Sequence, residues 1–346
     1  MKMRKLFLGI VICTFFLSFG FLAVDKASCA TVYSVELKFA HFMSPRYIQH
    51  QKSFAPFCKK VEELTDGRVK IKIYPGGALG GPKQLPDAAK TGITDIAFII
   101  PSYTTGRFPR MSALDLPFIF DSAEHATKVI YDLYDKWLAE DYKDYKVLWF
   151  YSCGTGQLHS VTKPIHTMED LKGMKMRAPS AYMTKALKMF GANPVGMPIS
   201  KLTMSLQKKV IDGMLTPYSA VIDFRLLDLV KHITELDFYL SPMAVVMNKK
   251  RFDSLPDFAK KAIDQASGKQ WGLHAARVYD NHDKNALRKM NELGKTKIYK
   301  LPMSEKERFK KLVKPMEANW VSEISKKGLP AKEIIKAVHV SANRHK

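Results

Sequence analysis

The sequence predicts an α/β protein of two lobes with a ligand cleft between them. Three observations carry that expectation. Strand-like and helix-like stretches alternate along most of the chain, the pattern of parallel sheets covered by helices. The 346 residues are enough for two domains of ordinary size, each with its own core. Polar side chains recur just beyond the ends of several strands, where ligands sit in open α/β sheets.

The chain begins with a targeting pattern. Lys2, Arg4 and Lys5 precede an almost unbroken apolar run from Leu6 to Val24, and Ser28-Cys29-Ala30 supplies small residues for cleavage. Residues 1–30 are therefore expected to be a signal peptide, removed on export to the periplasm. The run could also just span a bilayer, which leaves an uncleaved anchor as the alternative. A lipoprotein would need an apolar residue where Lys26 stands. No later stretch is long and apolar enough to cross a membrane.

Val35 to Ala40 reads as a strand, followed by a helix over Ser53–Leu64 that Thr65-Asp66-Gly67 ends. Val69 to Tyr74 alternates as a half-buried strand, and Pro75-Gly76-Gly77 turns the chain. A helix near Lys83–Lys90 leads to the apolar strand Ile96–Ile100. Val147 to Ser152 is another apolar strand, after which Cys153-Gly154-Thr155-Gly156 loosens the chain and a second unit begins. Thr167 and Asp170 form a capping-box pattern. In the next strand Met174, Met176 and Ala178 face one way, Lys175 and Arg177 the other.

Ser180 caps a helix that stops at Gly191. Ser200 is expected to cap another, which carries Leu202, Leu206 and Val210 inward. Met243 to Met247 is a buried-strand run. Pro256 to Leu293 is continuously helical in pattern, broken only by Gly268 and Gly272, so it either breaks there or braces two domains. Amphipathic helices follow near Glu305–Lys327 and Ala331–Val340.

The formal net charge is +22. Removing the four Lys and Arg and the one Asp of residues 1–30 leaves about +19. An exported protein without arginine-rich blocks or basic–aromatic platforms is not a nucleic-acid binder. Its charge is a solvated lysine surface that also favours capture of small anions. Cys58 and Cys153 do not make a disulfide scaffold. Cys58 lies on an apolar stripe with Phe54, Phe57, Val61 and Leu64 and is expected in the core, although a bridge to Cys153 stays open.

Catalytic signatures are missing: no HExxH, GxSxG, Walker loop or CxxC occurs. Gly76-Gly77-Ala78-Leu79-Gly80-Gly81 lacks phosphate-loop spacing and reads as a turn. His41, His159 and His166 lack the spacing of a metal site. An exported, two-domain α/β chain without catalytic motifs suggests a periplasmic binding protein type with an interdomain cleft, not an enzyme. Four strand ends offer ligand contacts: His41-Phe42, Ser102-Tyr103, Arg177 with Ser180, and Thr216 with Tyr218. Arg177 stands out, because an arginine can meet a carboxylate with two parallel N–H bonds.

In order and spacing the chain resembles the periplasmic solute-binding subunits of tripartite ATP-independent periplasmic (TRAP) transporters, of the C4-dicarboxylate-binding (DctP-like) type. The resemblance rests on Thr65-Asp66-Gly67-Arg68, Tyr74-Pro75-Gly76-Gly77 with Leu79-Gly80, Leu116-Pro117-Phe118, Lys163-Pro164-Ile165, and Asp170 through Arg177. Gly191-Ala192-Asn193-Pro194, Asp212-Gly213 and Met247-Asn248-Lys249 continue it. It implies two α/β domains: residues 31–153 plus about 242–282, and residues 154–241 plus about 300–346, with a long bracing helix over 256–293. It further implies a ligand trapped by closure and delivered to membrane-embedded permease subunits.

In that family the arginine matching Arg177 bridges the substrate carboxylate, a polar neighbour falls on Ser180, and an asparagine falls on Thr216. A second basic residue near Gly156 or Gln157 is missing, and an aromatic position is Ile199. These departures point to a small organic acid with one carboxylate, a monocarboxylate or an oxo or hydroxy acid, whose far end is apolar or aromatic and met by Phe42, Tyr103 or Tyr218. Gln157 and His159 are expected to add hydrogen bonds, and His41 to stand at the same cleft. No cofactor is implied, and only a metal ion accompanying the ligand is left open. The rivals are a ligand-presenting sensor partner, a secreted enzyme of organic acids, and a binding protein of the ATP-driven type.

Overall fold

The computed structural model describes residues 34–346; the expected signal segment lies outside the described residues. Two sheets organise the chain. In the first, β1 (Val35–Ala40), β2 (Val69–Tyr74) and β3 (Ile96–Ile99) run parallel. β10 (Pro242–Asn248) inserts antiparallel between β3 and β4 (Tyr145–Ser152), giving the order β2-β1-β3-β10-β4. All seven residues of β10 are buried, which is why it reads as an apolar run rather than an alternation. β1 alternates, with Val35, Leu37 and Phe39 inward and Glu36 and Lys38 exposed. Trp149 of β4 anchors this core, its ring 4.9 Å from Phe57. Cys58 is buried as expected, and both Cys58 and Cys153 are free thiols.

The second sheet has the order β11 (Lys297–Lys300), β9 (His232–Glu235), β5 (Gln157–Ser160), β8 (Gly213–Thr216), β6 (Lys175–Ala178), β7 (Asn193–Gly196). Each of these strands has only four residues. Pro194 is tolerated because β7 is an edge strand.

Two extended segments, β4 to β5 and β9 to β10, cross between the sheets and bond to each other; the chain crosses a third time through helices. Gly156 N–H donates to Tyr239 O (2.8 Å), Phe238 N–H to Gly156 O (3.0 Å) and Cys153 N–H to Ser241 O (3.2 Å). Flexibility is not why Gly156 is a glycine. A Cβ there would strike the ring of Tyr239, and one at Gly154 would strike the Asp283 carboxylate. The stretch that loosens the chain on paper is packed in the structure.

The long helical pattern does break. One helix covers Asp257–Ala266, Ser267 is extended, and Gly268 takes φ +83° at the start of the helix Gly268–Leu293. That conformation suits glycine and strains other residues. The second helix is about 39 Å long at ~1.5 Å per residue. Ala275, Ala276 and Tyr279 pack into the core that includes the first sheet. Ala286 and Met290 pack with Leu202, Met214 and Ile233 in a second core under the second sheet. One helix therefore braces both.

Gly272 lets that helix approach β4, since a Cβ would meet the Phe150 carbonyl and the Tyr131 hydroxyl. Gly272→Val is expected to cost roughly 1–3 kcal/mol by overpacking, read as a lower urea midpoint at unchanged m.

Three local expectations are corrected. Ser200 does not cap a helix: a 3-10 turn Ile199–Lys201 leads into the helix Leu202–Gln207, and no side chain bonds its start. Val210 lies past that helix and is exposed. The expected helix over 305–327 divides into Met303–Val313 and Pro315–Ser325, because proline has no N–H to continue the ladder. The last helix, Ala331–Arg344, packs on Ala123–Leu133, where His125 Nε2 meets Ala342 O at 2.9 Å.

Candidate functional site

Arg177 is third in β6, paired with Val195 on one side and Met214 on the other. Met176 and Ala178 are buried in the layer beneath, and Lys175 stays exposed at the strand's start. Arg177 itself is only 1% exposed. Its Nε donates to Met197 O (3.0 Å), Nη1 to Leu215 O (2.8 Å) and Nη2 to the Tyr103 hydroxyl (3.2 Å). Those bonds use three of an arginine's five N–H donors and leave two. All three acceptors are neutral, and among the described residues no carboxylate pairs with this cation. A buried charge without a counter-charge is costly, so the geometry favours an anionic ligand.

Tyr103 reaches Arg177 from the turn that follows β3 of the first sheet. Its hydroxyl oxygen also accepts Ile199 N–H at 3.2 Å, so its own O–H remains to donate. Burial raises the Tyr103 phenol above its ordinary value, with the Arg177 charge pulling the other way. Thr216 ends β8, and its Oγ is buried with no hydrogen-bond partner in the protein. Arg177, Tyr103 and Thr216 border one cavity, whose other walls are mostly apolar and include four aromatic rings, Tyr47, Phe98, Tyr239 and Tyr279. No other Lys, Arg or His of the described residues borders it. The space encloses about 30 Å³, room for roughly two waters. An organic acid can enter only if the walls part.

The remaining residues expected at the cleft stand elsewhere. Phe42 stacks on Phe98 with centroids 5.3 Å apart and so lies one layer behind the wall. Ser180 caps the helix Ala181–Met189 by accepting Met183 N–H, and faces a neighbouring cavity with Asp115. The Gln157 amide is spent on the crossing, accepting Leu236 N–H (2.8 Å) and Asp237 N–H (3.0 Å) and donating to Asp237 Oδ1 (2.8 Å). His159 meets Thr216 O at 2.9 Å, and burial lowers its pKa to about 4. His41 meets His50 at 2.9 Å, and burial with that neighbour lowers it to about 3. Both imidazoles are therefore neutral near pH 7. Tyr218 donates to Glu235 Oε1 at 2.7 Å and borders a different, acidic pocket.

Nothing in the sequence marks Tyr239 and Tyr279 as ligand contacts. Tyr279 lies on the buried stripe of the long helix with Ala275 and Ala276, a signal for packing but not for a ligand. Tyr239 comes from the return crossing, where no periodicity marks it. Among the described residues no group of three or more His, Cys, Asp or Glu is placed to hold a metal ion. No helix of those residues is long and apolar enough to cross a membrane.

Residues 39–323 match the family described as bacterial extracellular solute-binding protein, family 7. A TRAP solute-binding protein from Rhodoferax ferrireducens T118, solved with copurified benzoate, is 33% identical with a TM-score of 0.86, covering 90% of this chain and 98% of that one. A TRAP solute-binding protein from a marine metagenome, specific for aromatic acid ligands and solved with 3-hydroxybenzoate, is also 33% identical with a TM-score of 0.86, covering 90% and 99%. The 2,3-diketo-L-gulonate-binding periplasmic protein of Escherichia coli K12 is 27% identical over 275 residues, 77% of this chain and 82% of its own.

Proposed function

The chain belongs to the bacterial extracellular solute-binding proteins of family 7, and on that premise we propose that it captures an aromatic monocarboxylate through Arg177. As a class it is an organic-acid receptor of the TRAP type. The observation that carries the ligand assignment is the buried Arg177 guanidinium, which has two N–H donors to spare and no carboxylate partner among the described residues. A ligand carboxylate supplies the missing charge and takes both bonds side by side. Thr216 Oγ and the free O–H of Tyr103 add further donors.

The aromatic half of the reading rests on the walls. A second carboxylate would need a second cation, and none of the described residues at this cavity provides one. Tyr47, Phe98, Tyr239 and Tyr279 instead offer ring faces and edges. Relatives 33% identical to this chain hold benzoate and 3-hydroxybenzoate. Export by the cleaved segment 1–30 places the receptor in the periplasm, and closure of the lobes over the acid precedes delivery to the membrane permease. Closure excludes water and so strengthens the charge pair. The chemistry is binding without turnover, and no cofactor is assigned.

A thermal-shift screen of the purified protein tests this reading, because a ligand of the folded state raises Tm by mass action. Benzoate, hydroxybenzoates and mandelate are expected to raise Tm and succinate to do little. If succinate or a sugar stabilises the protein while every aromatic acid fails, the assignment is wrong.

A further inference from the structure

A larger cavity lies beside the one at Arg177, and none of the chemistry above uses it. It encloses about 210 Å³. Pro101, Phe108, Pro109, Met111 and Ile324 give it an apolar lining. Asp115 closes it at one end. That side chain is 2% exposed, neither carboxyl oxygen makes a hydrogen bond of good geometry, and among the described residues only the Ser180 hydroxyl is close enough to favour its charged form. Ser102 Oγ, also bordering the cavity, is buried and unpaired as well. An acidic group held out of water without partners is costly to keep. The Ser102 hydroxyl adds a second polar group on the same cavity with no partner in the protein.

We infer that this cavity is a second ligand site, taking a small apolar molecule that carries a hydroxyl group. The surroundings decide the chemistry. An anion would face the Asp115 carboxyl. A cation would face the N-terminus of the nine-residue helix Ala181–Met189, together with Lys185 and Lys327 at the rim. Lys185 is paired with Glu323 at 2.9 Å and adds little net charge.

A hydroxyl group is acceptable whichever form the acid takes. It donates to an ionised Asp115 and accepts from a protonated one, and burial, opposed by the Ser180 hydroxyl, holds that group at about 7. The Ser180 oxygen accepts Met183 N–H, so its O–H can turn to the Asp115 carboxyl or to a ligand hydroxyl at the polar end. The apolar lining accounts for the rest of the molecule.

The test uses phenol, with toluene as the partner lacking the hydroxyl, titrated by NMR against four proteins: the parent, Arg177→Ala, Asp115→Asn and Asp115→Leu. Phenol is expected to bind saturably and about tenfold more tightly than toluene, the worth of one hydrogen bond to a charged group. That preference should persist in Arg177→Ala, shrink several-fold in Asp115→Asn and vanish in Asp115→Leu. Should the leucine variant fail to fold, the asparagine variant still decides the matter, because it conserves shape. The inference is overturned if phenol and toluene bind alike, or if Arg177→Ala abolishes the preference, since phenol would then occupy the aromatic cavity. Because the readout does not need the carboxylate ligand, its failure leaves the assignment of Arg177 intact, and the reverse also holds.

Discussion

Arg177→Ala is expected to weaken binding of the cognate acid by about 30-fold at least, and by several thousand-fold at most. The range follows from the roughly 2–5 kcal/mol lost when one partner of a buried, hydrogen-bonded charge pair is removed. The upper end is favoured here because no other cation borders the cavity among the described residues. Arg177→Lys should recover little of it. An ammonium is a point charge and cannot hold a carboxylate by two parallel bonds, nor can it also serve Met197 O, Leu215 O and the Tyr103 hydroxyl.

Those three acceptors complicate the experiment in a useful way. The alanine variant leaves them without their donor, so the ligand-free protein should itself lose stability. Calorimetry at a temperature well below the variant's own Tm separates the two effects. Unchanged affinity for an acid that stabilises the parent would remove Arg177 from its role.

Asp115→Asn should stabilise the ligand-free protein, and do so more at pH 8 than at pH 4. Burial lifts this carboxyl from 3.8 to about 7. Between those values the folded chain holds a proton that the unfolded chain has released. The folded state therefore loses ground as pH rises from about 4 to about 7, and the loss levels off above that. At about 1.4 kcal/mol per pH unit the ceiling is roughly 4 kcal/mol. The amide does not titrate, so the Tm difference between variant and parent should widen steadily over that range. Asp283, also lifted to about 7 by burial, titrates alike in both proteins and cancels in the comparison. A Tm difference that does not change with pH would mean that Asp115 is ionised with a partner throughout.

The first sheet was legible in the sequence and the second mostly was not, for a physical reason. β1 and β2 have six residues each, enough for alternation to register, and β10 reads as one apolar run. The strands of the second sheet have four residues each, too few for a period of two to stand out against chance. Arg177 and Thr216 could be found because each lies within the last two residues of a strand that has a recognisable stop. Tyr239 and Tyr279 could not, since one comes from an irregular crossing and the other from the buried face of a helix more than a hundred residues after β3. Gly154 and Gly156 look in sequence like slack, and only the structure shows that Asp283 and Tyr239 fill the space a side chain would need.

The carbonyl of Leu215 accepts Nη1 of Arg177 at 2.8 Å and the hydroxyl of Tyr239 at 3.1 Å. Tyr239 is also the residue whose backbone ties the two crossings together and whose ring lies against Gly156. The Arg177 guanidinium and the paired crossings thus share one oxygen atom. A substitution that shifts the Leu215 carbonyl would disturb both at once, so under the proposed reading ligand affinity and the packing of the crossings are coupled.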